Sequence, residues 1–238
     1  MPMEPTRSPV PKHIAIILDG NRRFAKRLMA KPWKGHEWGA KKLREVLEWV
    51  RDAGIQELTV YAFSIQNFDR PKEEFKYLMD VFKAEAKSLL EDKRLMGGDL
   101  RIRFIGRTSM FPKDVQELMH ALEEKTLKNT KHQLNFAMAY GGREEIIDAV
   151  KKLAHEVETG NINSENITEE TIDHAMYIES KPDLIIRTGG EKRLSNFLNW
   201  QNSYSELFFI DVLWPDFSKE NLQEILAEYS QRERRFGQ

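Results

Sequence analysis

The apolar run at residues 14–18 constrains the fold more than any other stretch of the sequence. It places five apolar residues in a row, three of them isoleucine, which is typical of a strand buried on both faces of a parallel sheet. The run stops at Asp19, and Gly20-Asn21 predicts a turn before Arg22 and Arg23 open a helical segment. This pattern indicates either a magnesium–phosphate site or a turn that Asp19 merely caps, and at this point both interpretations stay open.

Strand-like and helix-like segments alternate along the rest of the chain, which predicts a single α/β domain. Five further strands are predicted, at 58–63, 102–105, 134–139, 184–186 and 207–212. Apolar residues at helical spacing predict helices at 37–53, 72–96 and 112–127, one ending at Val157 and one beginning at Lys219. We therefore expect a mostly parallel central sheet of about six strands flanked by helices in residues 12–238, after a flexible N-terminal segment at 1–11.

The charge balance and the missing residue types exclude several classes of function. Lys and Arg number 37 against 38 Asp and Glu, whereas dedicated nucleic-acid binders carry a basic excess, so no nucleic-acid partner is predicted. The chain has no cysteine, which excludes disulfides, thiol catalysis and cysteine–zinc sites. No segment approaches the roughly 20 apolar residues of a membrane span, and the N-terminus lacks the apolar core of a signal peptide. We expect a cytoplasmic protein.

Glycine and arginine are concentrated after the predicted strands, where parallel α/β sheets bind their ligands. The segments concerned are 19–23, 64–70, 106–107, 141–143 and 187–190. Glycine lets a backbone approach a ligand closely and arginine grips phosphate in a bidentate manner, so their recurrence predicts a site for more than one phosphate group. P-loop, dinucleotide-binding and hydrolase-elbow signatures are absent. No two aspartates are adjacent, so metal binding would fall to isolated acids such as Asp19 and Glu206.

Three of the features that could be functional also have an ordinary structural interpretation. His36 stands at the start of a predicted helix, where a histidine is commonly structural. The apolar stripe at 75–90 is most simply core, and the arginine-rich C-terminal tail is the kind of helix end that solvent normally surrounds.

A set of motifs covers nearly the whole chain from Pro11. The motifs are HIAIILDGNRRFA at 13–25, GH at 35–36, YAFS at 61–64 with Asn67 and Arg70-Pro71, YGGR at 140–143, DLIIRTGGE at 183–191, RLSNFLNWQ at 193–201, YSELFF at 204–209, WPDF at 214–217 and RRFG at 234–237. With these residues, in this order, the sequence resembles the cis-prenyltransferases, the family of undecaprenyl diphosphate synthase. The resemblance implies an α/β enzyme that adds isopentenyl diphosphate units in cis configuration to an allylic diphosphate primer of the farnesyl or geranylgeranyl type, with Mg²⁺ as cofactor.

The resemblance also implies a role for each matching residue. Asp19 would position Mg²⁺ on diphosphate, and Glu206 is the second acid associated with the metal. The residues implied to bind the primer diphosphate are Gly20, Asn21, Arg22, Arg23, Phe24, His36 and Arg70. In the loop after the second strand, the implied substrate-binding residues are Ser64, Ile65, Gln66 and Phe68, and Asn67 is an implied catalytic residue. The residues implied to bind isopentenyl diphosphate are Arg187, Arg193, Leu194 and Ser195. The tail at 235–237 matches one that reaches the partner subunit's site in the family's homodimers.

The chemistry of chain elongation fits these roles. Breaking an allylic C–O bond builds negative charge on the departing diphosphate, and Mg²⁺ with arginines stabilises that charge. The allylic fragment must be kept from water, so we expect an apolar tunnel beside the sheet, lined by Ala62 and the 75–90 stripe. Asn67 matches the family's proton-acceptor position, but a neutral amide is a very poor base. We expect Asn67 to orient the isopentenyl group while Asp19 or the leaving diphosphate takes the proton. A very apolar product predicts peripheral membrane contact.

The sequence departs from the family's pattern at several positions. Gln66 stands where the family has an acid, Phe68 where it has a tryptophan, and Pro32 where it has a basic residue. The segment at 91–99 is longer than in short bacterial members, which leaves the product length open. Two rival interpretations are a non-catalytic partner subunit and an unrelated phosphate-ligand enzyme such as a phosphatase. The full set of matching site residues favours an active homodimer over both.

Overall fold

A six-stranded sheet, in which all neighbouring strands pair in parallel, forms the centre of the protein. We describe it from a computed structural model, which covers residues 10–92 and 98–232. The strands are β1 (His13–Ile17), β2 (Glu57–Ser64), β3 (Leu100–Ile105), β4 (His132–Tyr140), β5 (Leu184–Arg187) and β6 (Glu206–Phe209), and their spatial order is β3-β4-β2-β1-β5-β6. The predicted fold class, parallel sheet and strand number are confirmed.

Helices cover both faces of this sheet. They are α1 (Asn21–Arg27), α2 (Gly35–Asp52), α3 (Lys72–Glu91), α4 (Lys113–Thr126), α5 (Gly142–Glu158), α6 (Glu169–Ala175) and α7 (Lys219–Gln231). All five residues of β1 are buried, as its sequence predicts. Ile14 and Ile16 belong to the large core cluster, to which α2, α3, α4 and α7 contribute, whereas Ala15 and Ile17 belong to a smaller cluster with Phe197 on the other side.

Two element boundaries differ from the sequence prediction. The helix α3 ends at Glu91 rather than near residue 96, because Asp92 is already extended, and residues 93–97 lie outside the described part. The last strand is Glu206–Phe209 rather than 207–212, because Ile210 and Val212 accept backbone hydrogen bonds from Gly190 (2.8 Å) and Gly189 (2.7 Å) in the loop after β5. The backbone of the apolar residues after Phe209 therefore binds the loop after β5, although their apolar pattern predicts a strand.

The structure tests the predictions about the N-terminus and about membrane spans only in part. Residues 1–9 lie outside the described part of the chain, so the division into 1–11 and 12–238 stays a prediction. Across residues 10–92 and 98–232, no helix has the length and apolar character to cross a membrane.

Candidate active site

Asp19 stands just beyond the carboxyl end of β1 and is fixed by its own backbone. Its carbonyl oxygen accepts hydrogen bonds from Thr188 Oγ1 (2.7 Å) and from the backbone N–H of Trp214 (2.9 Å). The turn that follows needs Gly20, whose φ is +111° and whose added Cβ would lie 2.9 Å from the Leu213 backbone. The Asp-Gly pair therefore holds a carboxylate in one place at the ligand-binding edge of the sheet.

Two arginines bind the Asp19 carboxylate from opposite parts of the chain. Arg23 Nη2 lies 3.2 Å from Oδ1, and Arg187 Nη2 donates to Oδ2 at 2.9 Å. Arg187 is 5% exposed, and its other terminal nitrogen donates to Ser195 Oγ at 2.8 Å and to the Arg193 carbonyl oxygen. One guanidinium thus joins the residue predicted to hold the metal to the loop predicted to bind isopentenyl diphosphate.

The loop that carries Ser195 has an unusual backbone. Ser195, Asn196 and Leu198 have φ values of +50°, +66° and +49°, in the left-handed region that only glycine and, less readily, asparagine adopt without strain. Asn196 holds the loop against the start of α5. Its Oδ1 accepts from the backbone N–H of Arg143 (2.9 Å) and its Nδ2 donates to Glu144 (2.9 Å). The sequence analysis missed Asn196, although an asparagine inside the RLSNF motif is a fair signal for such a turn.

A second charged cluster lies at the start of α2 and α3. Arg70 Nη1 donates to Glu74 Oε1 at 2.8 Å and lies 3.3 Å from His36 Nε2, and Arg22 is 3.7 Å from the same Glu74 oxygen. Burial, and then the nearby charges of Arg70 and Arg22, lower the pKa of His36 to about 3, so this imidazole is neutral at physiological pH. Burial also lowers the pKa of Arg70, although Glu74 opposes that shift.

Glu74 is a residue that the sequence analysis did not single out. Its side chain is 2% exposed and forms ion pairs with Arg70 at 2.8 Å and with Arg22 at 3.7 Å. The available signal was its position four residues after Arg70 at the start of a helix, where such a pair faces one another.

Asn67 lies in the short 3-10 helix Ile65–Asp69, directly after β2. Its Oδ1 accepts a hydrogen bond from the Ser64 backbone N–H at 3.0 Å, so the amide oxygen is engaged within its own loop. Phe68 packs with Phe63, Phe75 and Phe111 at ring-centroid distances of 5.0–5.6 Å, while Gln66 is exposed. The apolar packing of Phe68 anchors this loop, and the NH₂ group of Asn67 remains available to a ligand.

A cavity of about 240 Å³ connects these polar groups to the core. Its polar end is formed by Asn21, His36, Asn67 and Arg70, and its deep part is lined by Leu43, Leu47, Phe82, Ala86, Leu89, Phe104, Leu122 and Phe136. The deep part lies among α2, α3 and the sheet. It gives the 75–90 stripe a second role besides core packing, because Phe82, Ala86 and Leu89 face the cavity.

Glu206 is not brought to Asp19 within one chain. It is the first residue of β6 and pairs in register with Leu184, which is level with Ile14 at the start of β1. Its carboxylate binds Arg232 at 2.6 Å. Since strands rise about 3.3 Å per residue, Glu206 lies roughly 10 Å before the level at which β1 ends.

The remaining predicted residues are placed as follows. Arg193 is 60% exposed and paired with Glu191, and Leu194 packs against the smaller core cluster. Phe24 packs against Trp38, with ring centroids 5.5 Å apart, and the Arg27 guanidinium lies 4.8 Å from the centre of the Phe24 ring. The predicted partner-reaching tail at 235–237 lies outside the described residues.

Comparison with known proteins identifies the family. A family model described as a putative undecaprenyl diphosphate synthase matches residues 17–237. The chain belongs to the undecaprenyl diphosphate synthase family. The resemblance stated from the motifs is therefore confirmed, and so is its activity class, a prenyltransferase that makes prenyl diphosphates.

Relatives and solved structures agree with this assignment. The chain is 48% identical over 230 residues to a tritrans,polycis-undecaprenyl-diphosphate synthase (geranylgeranyl-diphosphate specific) of Thermococcus kodakarensis, covering 96% of this chain and 87% of the relative. It is 48% identical to an isoprenyl transferase of Thermus thermophilus, with 98% and 91% covered. Lavandulyl diphosphate synthase from Lavandula x intermedia, solved with dimethylallyl diphosphate, has a TM-score of 0.90 at 34% identity, with 97% and 99% covered. Neither rival interpretation finds support among these proteins.

The Asp19 carboxylate fits the kind of metal site that members of this family need. Its side chain is 28% exposed, and each oxygen has one arginine contact, which leaves lone pairs for a cation. No cluster of three or more His, Cys, Asp or Glu side chains suitable for a metal occurs in the described parts of the chain. Mg²⁺ commonly binds one or two carboxylates and takes its other ligands from phosphate and water. The residues present therefore fit a metal that arrives with a diphosphate rather than one held by a protein cage.

Proposed function

We propose that this chain condenses isopentenyl diphosphate with an allylic diphosphate primer, repeatedly and in cis configuration, to make a long-chain polyprenyl diphosphate. The observation that carries this proposal is a single cavity with a polar end formed by Asn21, His36, Asn67 and Arg70 and a deep apolar part; Leu18, the residue before Asp19, also lines it. Such a cavity suits a molecule with a diphosphate head and an isoprenoid tail. The short list of polar groups at one end would fix the head while the apolar lining accepts the growing chain.

The primer diphosphate is assigned to the polar end of the cavity. Arg22, Arg23 and Arg70 supply positive charge there, and neutral His36 supplies a hydrogen bond, while Gly20, Asn21 and Phe24 shape the turn between Asp19 and α1. Binding of a diphosphate would replace Glu74 as the counter-charge of the arginines. We assign a primer of the geranylgeranyl type over the farnesyl type, since the Thermococcus relative is named for geranylgeranyl diphosphate.

Isopentenyl diphosphate is assigned to the loop after β5. Ser195 and Arg187 are already joined by a hydrogen bond, and the exposed Arg193 can turn from Glu191 to a phosphate. Leu194 packs below and holds the loop in place. The loop after β2, with Ser64, Ile65, Gln66 and Phe68, would close the site from the opposite side and present Asn67 to the isopentenyl group.

The chain's own residues would promote ionisation of the primer and then position the second substrate. Asp19 is the residue that would hold Mg²⁺, which when bound neutralises charge on diphosphate. Arginines around the site stabilise the charge that develops on the leaving group. The apolar lining excludes water, so the allylic fragment reacts with the isopentenyl double bond rather than with water.

Loss of a proton from the new C–C bonded intermediate completes each cycle. Asn67 is poorly suited to take it, because its amide is neutral and its Oδ1 is engaged by Ser64. The Asn67 NH₂ group would instead donate to isopentenyl diphosphate and orient it. Asp19 or the leaving diphosphate then accepts the proton.

The assembly and location follow from the same proposal. A homodimer is proposed, with the 235–237 tail reaching the partner's site. Within one chain Glu206 cannot share an ion with Asp19, so its metal role requires a second copy of the chain or a separate ion. We place the enzyme in the cytoplasm with peripheral membrane contact for release of its apolar product.

The decisive experiment incubates the purified chain with labelled isopentenyl diphosphate, Mg²⁺ and a series of allylic primers from dimethylallyl to geranylgeranyl diphosphate. We expect products that differ by whole isoprene units in mass spectra, with the geranylgeranyl primer used best. Phosphate release without chain growth, or no elongation with any primer, would refute the proposal.

A further inference from the structure

We propose that the end of α1 and its connection to α2, residues 26–34, dock on an anionic phospholipid surface; we call this segment the basic loop. The inference deepens the proposed membrane contact and rests on the proposed function, because a long isoprenoid product needs a bilayer to enter. The lysines and the tip of this segment take no part in the proposed catalytic site.

The first observation is the local charge. Between Gly20 and His36 the chain has six Lys and Arg residues and no Asp or Glu. The rest of the chain therefore keeps 31 of its 37 cations against all 38 acids. A nearly neutral protein thus concentrates positive charge in one short stretch, which attracts anionic surfaces locally and not over the whole molecule.

Half of these cations form ion pairs and half do not, although the Lys31 ammonium lies 5.3 Å from the centre of the Trp33 ring. Arg22, Arg23 and Arg27 bind Glu74, Asp19 and Asp216. In contrast, Lys26, Lys31 and Lys34 are exposed and form no ion pair with any residue in 10–92 or 98–232. These three ammonium groups, all within the basic loop, are available to lipid phosphates.

The second observation is that the tip of the loop exposes two consecutive apolar side chains. Leu28 is 49% exposed and Met29 is 96% exposed, the highest value among the large apolar residues that the structure describes. Leucine and methionine flanked by lysines are typical of segments that lie in the boundary between lipid headgroups and acyl chains.

Met29 is also unfavourable for folding. The N–H of Ala30 donates to the Ala25 carbonyl (2.9 Å) and that of Met29 to the Lys26 carbonyl (3.0 Å), which is the Schellman pattern at the end of α1. Met29 occupies the left-handed position of this motif, with φ at +53°, where glycine is preferred. A strained and almost fully exposed methionine contributes nothing to the fold, so its side chain points to a function outside it.

The third observation is the location of the loop. Asn21 before it and His36 after it both line the polar end of the cavity. The two ends of the segment meet closely, since a Cβ on Gly35 would lie 1.9 Å from the Asn21 carbonyl oxygen. The basic loop therefore begins and ends next to residues that form the polar end of the cavity, so a bilayer docked on it would lie near the end at which the product diphosphate is held.

The test is flotation of the purified chain with vesicles made of equal parts phosphatidylglycerol and phosphatidylcholine, or of phosphatidylcholine alone. We expect binding to the anionic vesicles only, and loss of binding at high salt. The triple variant Lys26→Gln/Lys31→Gln/Lys34→Gln should lower the partition coefficient by about 100-fold. The double variant Leu28→Ser/Met29→Gly should lower it by about 10-fold, while Met29→Gly relieves the backbone strain and keeps the fold intact.

Matched controls separate the loop from general charge and apolar effects. Lys87→Gln/Lys128→Gln/Lys151→Gln removes the same charge from exposed positions elsewhere, and Leu127→Ser removes another exposed leucine. Both should bind vesicles like the unaltered chain. An equal loss in these controls, or no flotation of the unaltered chain with anionic vesicles, would overturn the inference, including in favour of a protein partner for the loop.

A separate assay distinguishes failure of this inference from failure of the proposed function. Single addition of isopentenyl diphosphate without vesicles should proceed at the same rate in all variants, whereas stimulation of repeated turnover by anionic vesicles should vanish in the triple variant. Condensation without vesicle binding would contradict the docking alone, and vesicle binding without condensation would contradict the proposed function alone.

Discussion

Arg187 Nη2 donates a hydrogen bond to Asp19 Oδ2 at 2.9 Å, and this contact links the two halves of the proposed site. Arg187 is nearly buried and also donates to Ser195, so one guanidinium connects the Asp19 carboxylate to the loop after β5. A cation would therefore bind to an Asp19 carboxylate whose orientation Arg187 has already fixed.

The substitution Asp19→Asn tests this arrangement. We expect kcat to fall roughly 100- to 1,000-fold, because the amide cannot hold Mg²⁺ on diphosphate. Loss of the charged partner of Arg187 should lower the free energy of unfolding by about 1–3 kcal/mol, so the variant stays folded. Steady-state kinetics and urea denaturation measure the two effects. The matched control is Asp216→Asn, which removes the surface partner of Arg27 and should leave kcat unchanged; near-normal rates for Asp19→Asn would refute its role.

Asn67→Ala separates orientation of isopentenyl diphosphate from proton transfer. We expect a large loss of kcat with little change in primer affinity, because the primer contacts come from other residues. Asn67→Asp is the informative companion: a carboxylate would be the better base, but it lacks the NH₂ donor. Its activity should therefore stay low in rapid-quench assays. An active Asn67→Asp, or equal losses of primer affinity and rate in Asn67→Ala, would contradict the orienting role.

Neutral His36 makes acid sensitivity of the fold a further prediction. Its folded pKa of about 3 lies below the ordinary value of 6.5, so the unfolded chain takes up the proton first as the pH falls. The contribution of His36 to stability is therefore unchanged above pH 6.5. It declines below that value by up to about 1.4 kcal/mol per pH unit until pH approaches 3.

His36→Gln should reduce this dependence, with up to about 2 kcal/mol less loss of stability between pH 6.5 and 5 than in the unaltered chain. Urea denaturation at the two pH values measures it. The comparison between chains is needed because burial also lowers the pKa of His13, which both proteins retain. An identical pH dependence in both would show that His36 has the same pKa in the folded and unfolded states, so that burial does not keep it neutral.

Asn196 is predicted to position the isopentenyl diphosphate loop without touching the reacting atoms. Asn196→Gly keeps the left-handed backbone but removes the contacts to Arg143 and Glu144, so the KM for isopentenyl diphosphate should rise about 10-fold. The KM for the primer should not change. If the glycine variant has both constants unaltered, the backbone geometry alone suffices and the side-chain contacts are not needed.

Sequence reasoning predicted the sheet because its evidence was local. The run at 14–18 and the glycine–arginine strand ends indicate buried strands and an anion site without knowledge of partners. Glu74 and Asn196 each had a weak local signal, but their roles depend also on distant partners, Arg22 for Glu74 and the start of α5 for Asn196. The position of Glu206 escaped for a similar reason, since only the register of β6 shows that it lies at the opposite edge from Asp19. Met29 has no local pattern at all, and its strain becomes visible only in the backbone.

Ala86 is predicted to influence the length of the product. It is 2% exposed on α3 and faces the apolar part of the cavity. Ala86→Leu adds three carbons there, which should block the growing chain and shift the products to fewer isoprene units, as mass spectrometry of the extracted lipids would show. Ala84→Leu places the same side chain on the exposed face of the same helix and should leave the product length unchanged. Unaltered products from Ala86→Leu would mean that the isoprenoid tail does not enter this cavity.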